Sequence, residues 1–74
     1  MRIEVTYYPS EPAWRVSTID GLECRVVETH YGDHCDANER RYARERANNT
    51  ARNLARKHNA KIVRITAPKR VETY

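Results

Sequence analysis

The chain has 74 residues, of which 39% are hydrophobic and 32% charged, and it contains no phenylalanine. This length is that of one small domain, and no segment approaches the roughly 18 consecutive apolar residues that a membrane span requires. The net charge of +4 is unevenly distributed: residues 1–37 carry three basic and seven acidic side chains, and residues 38–74 carry eleven basic and three acidic ones. The basic half favours an anionic partner, unless the two halves neutralise one another within the fold or across a homodimer.

The cysteine content and the first residues bear on the compartment. Cys24 and Cys35 are too few for the disulfide framework of a small secreted domain. The first residues alternate polar with apolar side chains and contain no continuous apolar run, so no signal peptide is predicted. We therefore expect a cytoplasmic protein with reduced thiols.

Alternating apolar and polar residues in the first half of the chain predict three strands, over residues 2–8, 14–19 and 22–27. The third strand is expected to end between Glu28 and Gly32. Asp20-Gly21 is the residue pair most typical of a two-residue hairpin turn, which places the second and third strands side by side. The first half therefore reads as a three-stranded antiparallel meander.

A helix is predicted from Ala37 to His58, a segment without glycine or proline. Asp36 and Glu39 stand at the spacing of a capping box, and Asn59 is a plausible carboxyl-terminal cap. On a helical wheel the expected packing side consists of Ala43, Ala47, Thr50, Ala51, Leu54 and His58. The opposite side consists of Arg41, Glu45, Asn48, Asn49, Arg52 and Arg56. One side should pack on the sheet, and the other should be solvated and basic.

A fourth strand is predicted over residues 61–66, before Pro68. The fold class is therefore α+β in the order β-β-β-α-β, an antiparallel sheet with one helix packed on one face. We predict a single compact domain over residues 1–68 and a tail over residues 69–74, which is loose or adds a short edge strand with Val71. The uncovered sheet face is expected to carry Tyr8, Ile19, Val27 and Ile62. Homodimerisation would cover that face.

Three motifs support a resemblance: Trp14-x-Val16, the alanines at positions 43, 47 and 51 followed by Leu54-Ala55, and the final segment over residues 59–63. In these motifs the chain resembles a family of short bacterial and phage domains of unknown function, with a W-x-V hairpin, an Ala-spaced helix and one last strand. The resemblance covers about 50 residues. It implies a small compact fold, with dimerisation as one option, and no catalytic residue. This chain differs from the family in its more Arg-rich helix and its longer segment between the two cysteines.

The basic side of the predicted helix is the strongest functional feature, because arginine offers a planar fork of donors that suits phosphate, and asparagine can reach phosphates or base edges. Tyr42 could stack on a base. The candidate contact residues are Arg41, Tyr42, Arg44, Asn48, Asn49, Arg52, Arg56 and Lys57. The alternatives are an acidic protein partner, or a merely solvated helix in which Arg41 and Glu45 form an i,i+4 ion pair. The sequence contains no helix-turn-helix, zinc-finger or ribonucleoprotein motif.

The sequence offers one candidate set of metal ligands, namely Cys24, His30, His34 and Cys35. Cys24 lies in a predicted strand, on its expected core face, and no C-x2-C pair exists, so inert thiols and solvent-facing imidazoles are the default expectation. A Cys24–Cys35 disulfide is the alternative in an oxidising setting. We predict no metal and no cofactor.

Catalytic readings have little support in the sequence. It contains no Gly-rich phosphate loop and no carboxylate pair at a defined spacing. Cys35 follows His34 directly, but side chains adjacent in sequence rarely face one another. We therefore predict a small, basic, non-catalytic binding protein of the phage or mobile-element accessory type that contacts the phosphates of DNA or RNA. The alternative is an interaction module or inhibitor that docks on an acidic host protein.

Overall fold

The computed structural model describes residues 1–67, so the tail predicted over residues 69–74 lies outside the described residues. The elements are β1 (Arg2–Tyr8), β2 (Ala13–Asp20), β3 (Glu23–Tyr31), α1 (Ala37–His58) and β4 (Lys61–Thr66). The α+β class, the β-β-β-α-β order and the single helix packed on the sheet are confirmed. Within residues 1–67, no helix combines the length and the apolar composition that a membrane crossing requires.

The four strands form one sheet in the order β3-β2-β1-β4. The β1–β2 and β2–β3 pairs are antiparallel, whereas β4 pairs with β1 in parallel. The sheet is therefore mixed, and the prediction of an entirely antiparallel sheet was wrong in this respect. The reason is the connection: α1 carries the chain from the end of β3 back to the start of β4, so β4 points the same way as β3 and β1.

The predicted hairpin between β2 and β3 is confirmed, but its loop is shifted by one residue. Asp20 pairs with Glu23, which leaves Gly21 and Leu22 as the two loop residues. Gly21 has a φ of +60°, a left-handed conformation that glycine adopts without strain. A positive φ at the first loop residue alone is typical of a type II′ turn, in which glycine occupies that position.

Two of the four residues predicted on the uncovered face lie on the helix side of the sheet. A bulge in β3 interrupts the alternation, and Val27 lines a cavity together with Leu54 and His58 of α1. Ile62 pairs with Ile3 in the parallel register and packs against the core. Val27 faces the same way as Arg25, which pairs with Thr18 and lines the same cavity, so the β2–β3 register places Val27 on the helix side, and the bulge then adds Glu28 to that side. The parallel register with β1 places Ile62 on the helix side. Tyr8 and Ile19 lie on the uncovered face as predicted.

The caps of α1 follow the sequence prediction closely. The Asp36 carboxylate accepts hydrogen bonds from the backbone N–H groups of Asn38 and Glu39, at 2.9 and 3.2 Å. In a full capping box the Glu39 side chain would accept a hydrogen bond from the Asp36 backbone N–H. Here that N–H donates to the carbonyl of Asp33 instead. Asn59 adopts the left-handed conformation of a carboxyl-terminal cap, with φ 49° and ψ 49°.

The core lies between α1 and the middle of the sheet. It consists of Ile3, Val5, Trp14 and Val16 from the strands and Ala43, Ala47 and Ala51 from the helix. Alanine lets the helix lie close to the sheet, because each side chain is a single methyl group. The Tyr7 and Trp14 rings stack at one end of this core, with centroids 4.7 Å apart and planes inclined by 22°.

Candidate nucleic-acid interface

Four of the eight predicted contact residues share the solvent side of α1, opposite the buried alanines. These are Arg41, Asn49, Arg52 and Arg56, and all four side chains are exposed. We call this set the outward face. Arg41 donates a 3.3 Å hydrogen bond to Asn38, and Arg52 donates a 3.2 Å bond to Asn49. Both partners are neutral amides, so the two guanidinium groups keep their full charge.

Two further predicted residues, Arg44 and Asn48, lie on the flank of α1 that faces β4. Asn48 is half-buried, and its amide oxygen accepts a hydrogen bond from the Arg64 guanidinium of β4. Arg44 lines a cavity together with Arg64. Arg64 is not among the predicted contact residues, because a helical wheel does not include a basic residue of a neighbouring strand.

The remaining two, Tyr42 and Lys57, lie toward the β3 side of the helix. The Arg46 guanidinium sits 5.2 Å from the Tyr42 ring centroid and also donates a 2.8 Å hydrogen bond to the Tyr42 hydroxyl. Lys57 follows Arg46 by eleven residues, or about three turns, and so shares its side. The eight residues therefore lie on three sides of α1 instead of forming one patch, although Arg41 of the outward face and Arg44 of the β4 flank line one cavity.

No Arg or Lys side chain of α1 forms an ion pair with a carboxylate of the described residues. The helix contains seven Arg and Lys side chains and two Glu side chains. The ion pairs within residues 1–67 are Arg2–Glu4 and His30–Glu28, neither of which involves a helix cation. The i,i+4 pair between Arg41 and Glu45 does not form, and Arg41 turns to Asn38 instead. Among the described residues, no carboxylate of residues 1–37 is therefore ion-paired with a helix cation.

One carboxylate ties the helix to the edge strand β3. A single oxygen of Glu28 lies 2.7 Å from the Thr50 hydroxyl and 2.8 Å from the His30 ring nitrogen. Both hydrogen bonds lower the pKa of Glu28, and the one from Thr50 has the larger effect. The nearby charge of Arg46 also lowers this pKa. The contact fixes the β3 flank of α1 without using any outward-face residue.

The candidate metal ligands are not brought together. Cys24 is exposed beside the β2–β3 turn, at the opposite end of β3 from the loop that holds Cys35. His34 forms a 3.0 Å hydrogen bond with the Ser10 carbonyl, and His30 is held by Glu28. Among residues 1–67, no three His, Cys, Asp or Glu side chains cluster in a way that could hold a metal ion.

Two adjacent cavities that the sequence did not predict lie beside α1. One, of about 340 Å³, opens between α1 and β4, and the other, of about 240 Å³, lies toward the start of the helix. Tyr7, Trp14 and Arg44 line both. We call the two cavities together the Tyr7–Trp14 groove. The alternation of β1 and β2 identifies both rings as core residues, and only the parallel placement of β4 leaves them beside an open groove.

Comparison of the chain with protein-family models, with curated proteins and with solved structures finds no match. The resemblance to short bacterial and phage domains therefore stays a prediction from the three sequence motifs.

Proposed function

We propose that this protein is a non-catalytic nucleic-acid-binding protein that contacts phosphates through the outward face of α1. The observation that carries the proposal is the unpaired charge of the helix: none of its seven Arg and Lys side chains is ion-paired within residues 1–67. A row of free guanidinium groups releases counterions from a phosphate backbone when it binds, which drives association. No carboxylate of the described residues must be displaced first.

The spacing of the outward face also supports this proposal. Arg41 and Arg56 are fifteen residues apart, so at 1.5 Å per residue they span about 22 Å along the helix axis. Arg52 lies between them on the same side. Duplex DNA carries one charge per about 1.7 Å of its axis, so the row extends past several phosphates on each strand. Contacts of this kind position a protein on a nucleic acid without reading its sequence.

A second candidate function is docking on an acidic partner protein. Glu45 favours it, because this exposed carboxylate lies on the same side of the helix as Arg41 and Arg52. A carboxylate inside the contact area repels phosphate, whereas a protein surface can offer it a basic residue. This candidate predicts one specific partner, and phosphate binding predicts broad, salt-dependent association.

The uncovered sheet face supports a homodimer as part of the same proposal. Val26 and Val63 lie there with exposed fractions of 51 and 38%. Pairing two copies through these faces would remove apolar surface from water and place two basic helices on opposite outer sides.

The resemblance to short bacterial and phage domains suits an accessory protein of a phage or mobile element that acts in the cytoplasm.

The test is a titration of the full chain against a labelled duplex and a labelled single strand at about 50 and about 200 mM salt. The test variant is Arg52→Glu/Arg56→Glu on the outward face. The matched control is Arg25→Glu/Lys61→Glu, which changes the net charge equally at two exposed strand positions that are not part of the outward face.

We expect wild type and the control variant to bind at the lower salt and to lose at least tenfold in affinity at the higher salt. At the lower salt, their affinity should exceed that of the outward-face variant by a similar factor. Equal weakening in both variants would mean that net charge alone is responsible. Absence of binding at the lower salt would contradict the proposal and direct the search to an acidic protein partner.

A further inference from the structure

The Tyr7–Trp14 groove exists because α1 does not cover β4. Ile62, at the start of β4, packs on the core, but Arg64 and Thr66 farther along the same side of the strand are exposed. Between them and the helix, the stacked Tyr7 and Trp14 rings form the floor of an open cavity of about 340 Å³. This volume lies within the range of small-ligand sites in proteins.

The walls of the groove carry positive charge on both sides. Arg44 extends from α1 and Arg64 from β4, and neither is ion-paired with a carboxylate within residues 1–67. The Asn48 amide, whose oxygen accepts from Arg64, adds a polar group to the wall. An aromatic floor between two guanidinium groups suits a ligand with a flat ring and an attached anion.

We propose that the groove binds one unpaired nucleotide of a single-stranded nucleic acid, with its base against Tyr7 and its phosphate between Arg44 and Arg64. The inference rests on the proposed function and deepens it, because it names the form of nucleic acid. Aromatic side chains beside a basic surface are the usual means of binding single strands, since every base has a face that can stack. Guanidinium groups bind phosphate oxygens in pairs of parallel hydrogen bonds.

A duplex cannot use this groove without distortion. In a duplex both faces of each base are stacked on neighbouring bases, so a ring reaches a protein pocket only after unstacking and unpairing. The outward face has no such requirement, because it meets the backbone from outside. The groove therefore predicts a preference for single strands over duplexes, on top of the shared attraction to phosphate.

Trp14 is the only tryptophan of the sequence, so tryptophan fluorescence monitors the groove directly. The experiment titrates the full chain with an oligothymidine, with a deoxyribose-phosphate strand of the same length that lacks bases, and with a duplex. Fluorescence of Trp14 reports occupation of the groove. Anisotropy of a label on each strand reports binding anywhere on the protein.

We expect the oligothymidine to quench Trp14 fluorescence and to bind about tenfold more tightly than the strand without bases. The strand without bases and the duplex should bind in a salt-dependent way and leave the fluorescence unchanged. Binding of all three without quenching would overturn the groove and keep the proposed function. If the oligothymidine still quenches Trp14 fluorescence in Arg52→Glu/Arg56→Glu and binds with undiminished affinity, the outward face does not contribute to binding. Binding of none of them would contradict both.

Variants of the groove walls make the assignment specific. Arg44→Gln and Arg64→Gln should each weaken oligothymidine binding about three- to tenfold, while Arg25→Gln, an exposed arginine on β3, should leave it unchanged. The strand without bases should respond less to the groove variants than the oligothymidine does. Equal effects of Arg64→Gln and Arg25→Gln would overturn the assignment. Quenching of Trp14 fluorescence by an acidic peptide as strong as that by the oligothymidine would also overturn the assignment.

Discussion

The Thr50 hydroxyl on α1 donates a 2.7 Å hydrogen bond to the Glu28 carboxylate on β3. Glu28 can reach the helix because the bulge in β3 places both Val27 and Glu28 on the helix side of the sheet. The same carboxylate oxygen contacts His30 at 2.8 Å. The irregularity in the strand therefore has a structural use, since it joins an edge strand to the helix.

Removing the Thr50 hydroxyl should raise the pKa of Glu28. The hydrogen bond from Thr50 is the main cause of the lowered pKa, because it stabilises the ionised form. In Thr50→Val the pKa should return toward the usual value of about 4.3, and Thr50→Ser, which keeps the hydroxyl, should retain the lowered value. An NMR titration of the Glu28 carboxyl carbon measures this, and an unchanged pKa in Thr50→Val would contradict it.

The same contact gives stability a pH dependence of known sign. Because the pKa of Glu28 is lower in the folded state, its contribution is complete above the unfolded-state pKa of about 4.3 and is lost as pH falls through the folded-state pKa. For an exposed group the contribution is below about 1 kcal/mol. Urea unfolding of wild type and Glu28→Gln at pH 7 and pH 3 should show a difference that shrinks at the lower pH.

Loss of the Asp36 cap should destabilise the fold. Its carboxylate accepts from two backbone N–H groups that have no partner within the helix. Asp36→Ala should lower the free energy of unfolding by about 1 kcal/mol, and Asp36→Asn, which retains the side-chain oxygen, by much less. Urea denaturation at pH 7 compares the two, and equal losses would show that the cap contributes nothing specific.

The close approach of α1 to the sheet depends on the small side chain of Ala47, which is completely buried. Ala47→Leu should lower the free energy of unfolding by about 1–3 kcal/mol, because the added atoms force the helix and sheet apart. Ala55→Leu, at a half-buried position of the same helix, is the matched control and should cost less. Thermal unfolding of both variants measures the difference, and a stable Ala47→Leu protein would mean that the interface holds unfilled space.

Local signals in the sequence were sufficient for the helix and for the meander. Asp36 and Asn59 bracket α1 with residues that can satisfy its free ends, and no proline or glycine interrupts it. The direction of β4 and the facing of Ile62 could not be read locally. Residues 61–66 contain apolar side chains on both faces, and the parallel register with β1 decides which of them the helix covers.

The candidate site was predictable only in part for a similar reason. A helical wheel separates buried from exposed positions, so Arg41, Arg52 and Arg56 were identified together. It does not locate the edges of the sheet beneath, so Arg44 and Tyr42 were assigned to one patch although they lie on opposite flanks. Arg64 enters the account only through tertiary structure, because it meets Asn48 across sixteen residues of chain.

If the outward face of α1 binds phosphates, the affinity for nucleic acid must depend on salt through the arginines of that face. The slope of log K against log salt is about −0.9 per phosphate contact on duplex DNA. We would measure that slope for wild type, Arg52→Gln and Arg25→Gln with one duplex. A slope about one unit shallower in Arg52→Gln, with that of Arg25→Gln unchanged, is the predicted result. Identical slopes in all three proteins would contradict the claim that Arg52 contacts phosphate.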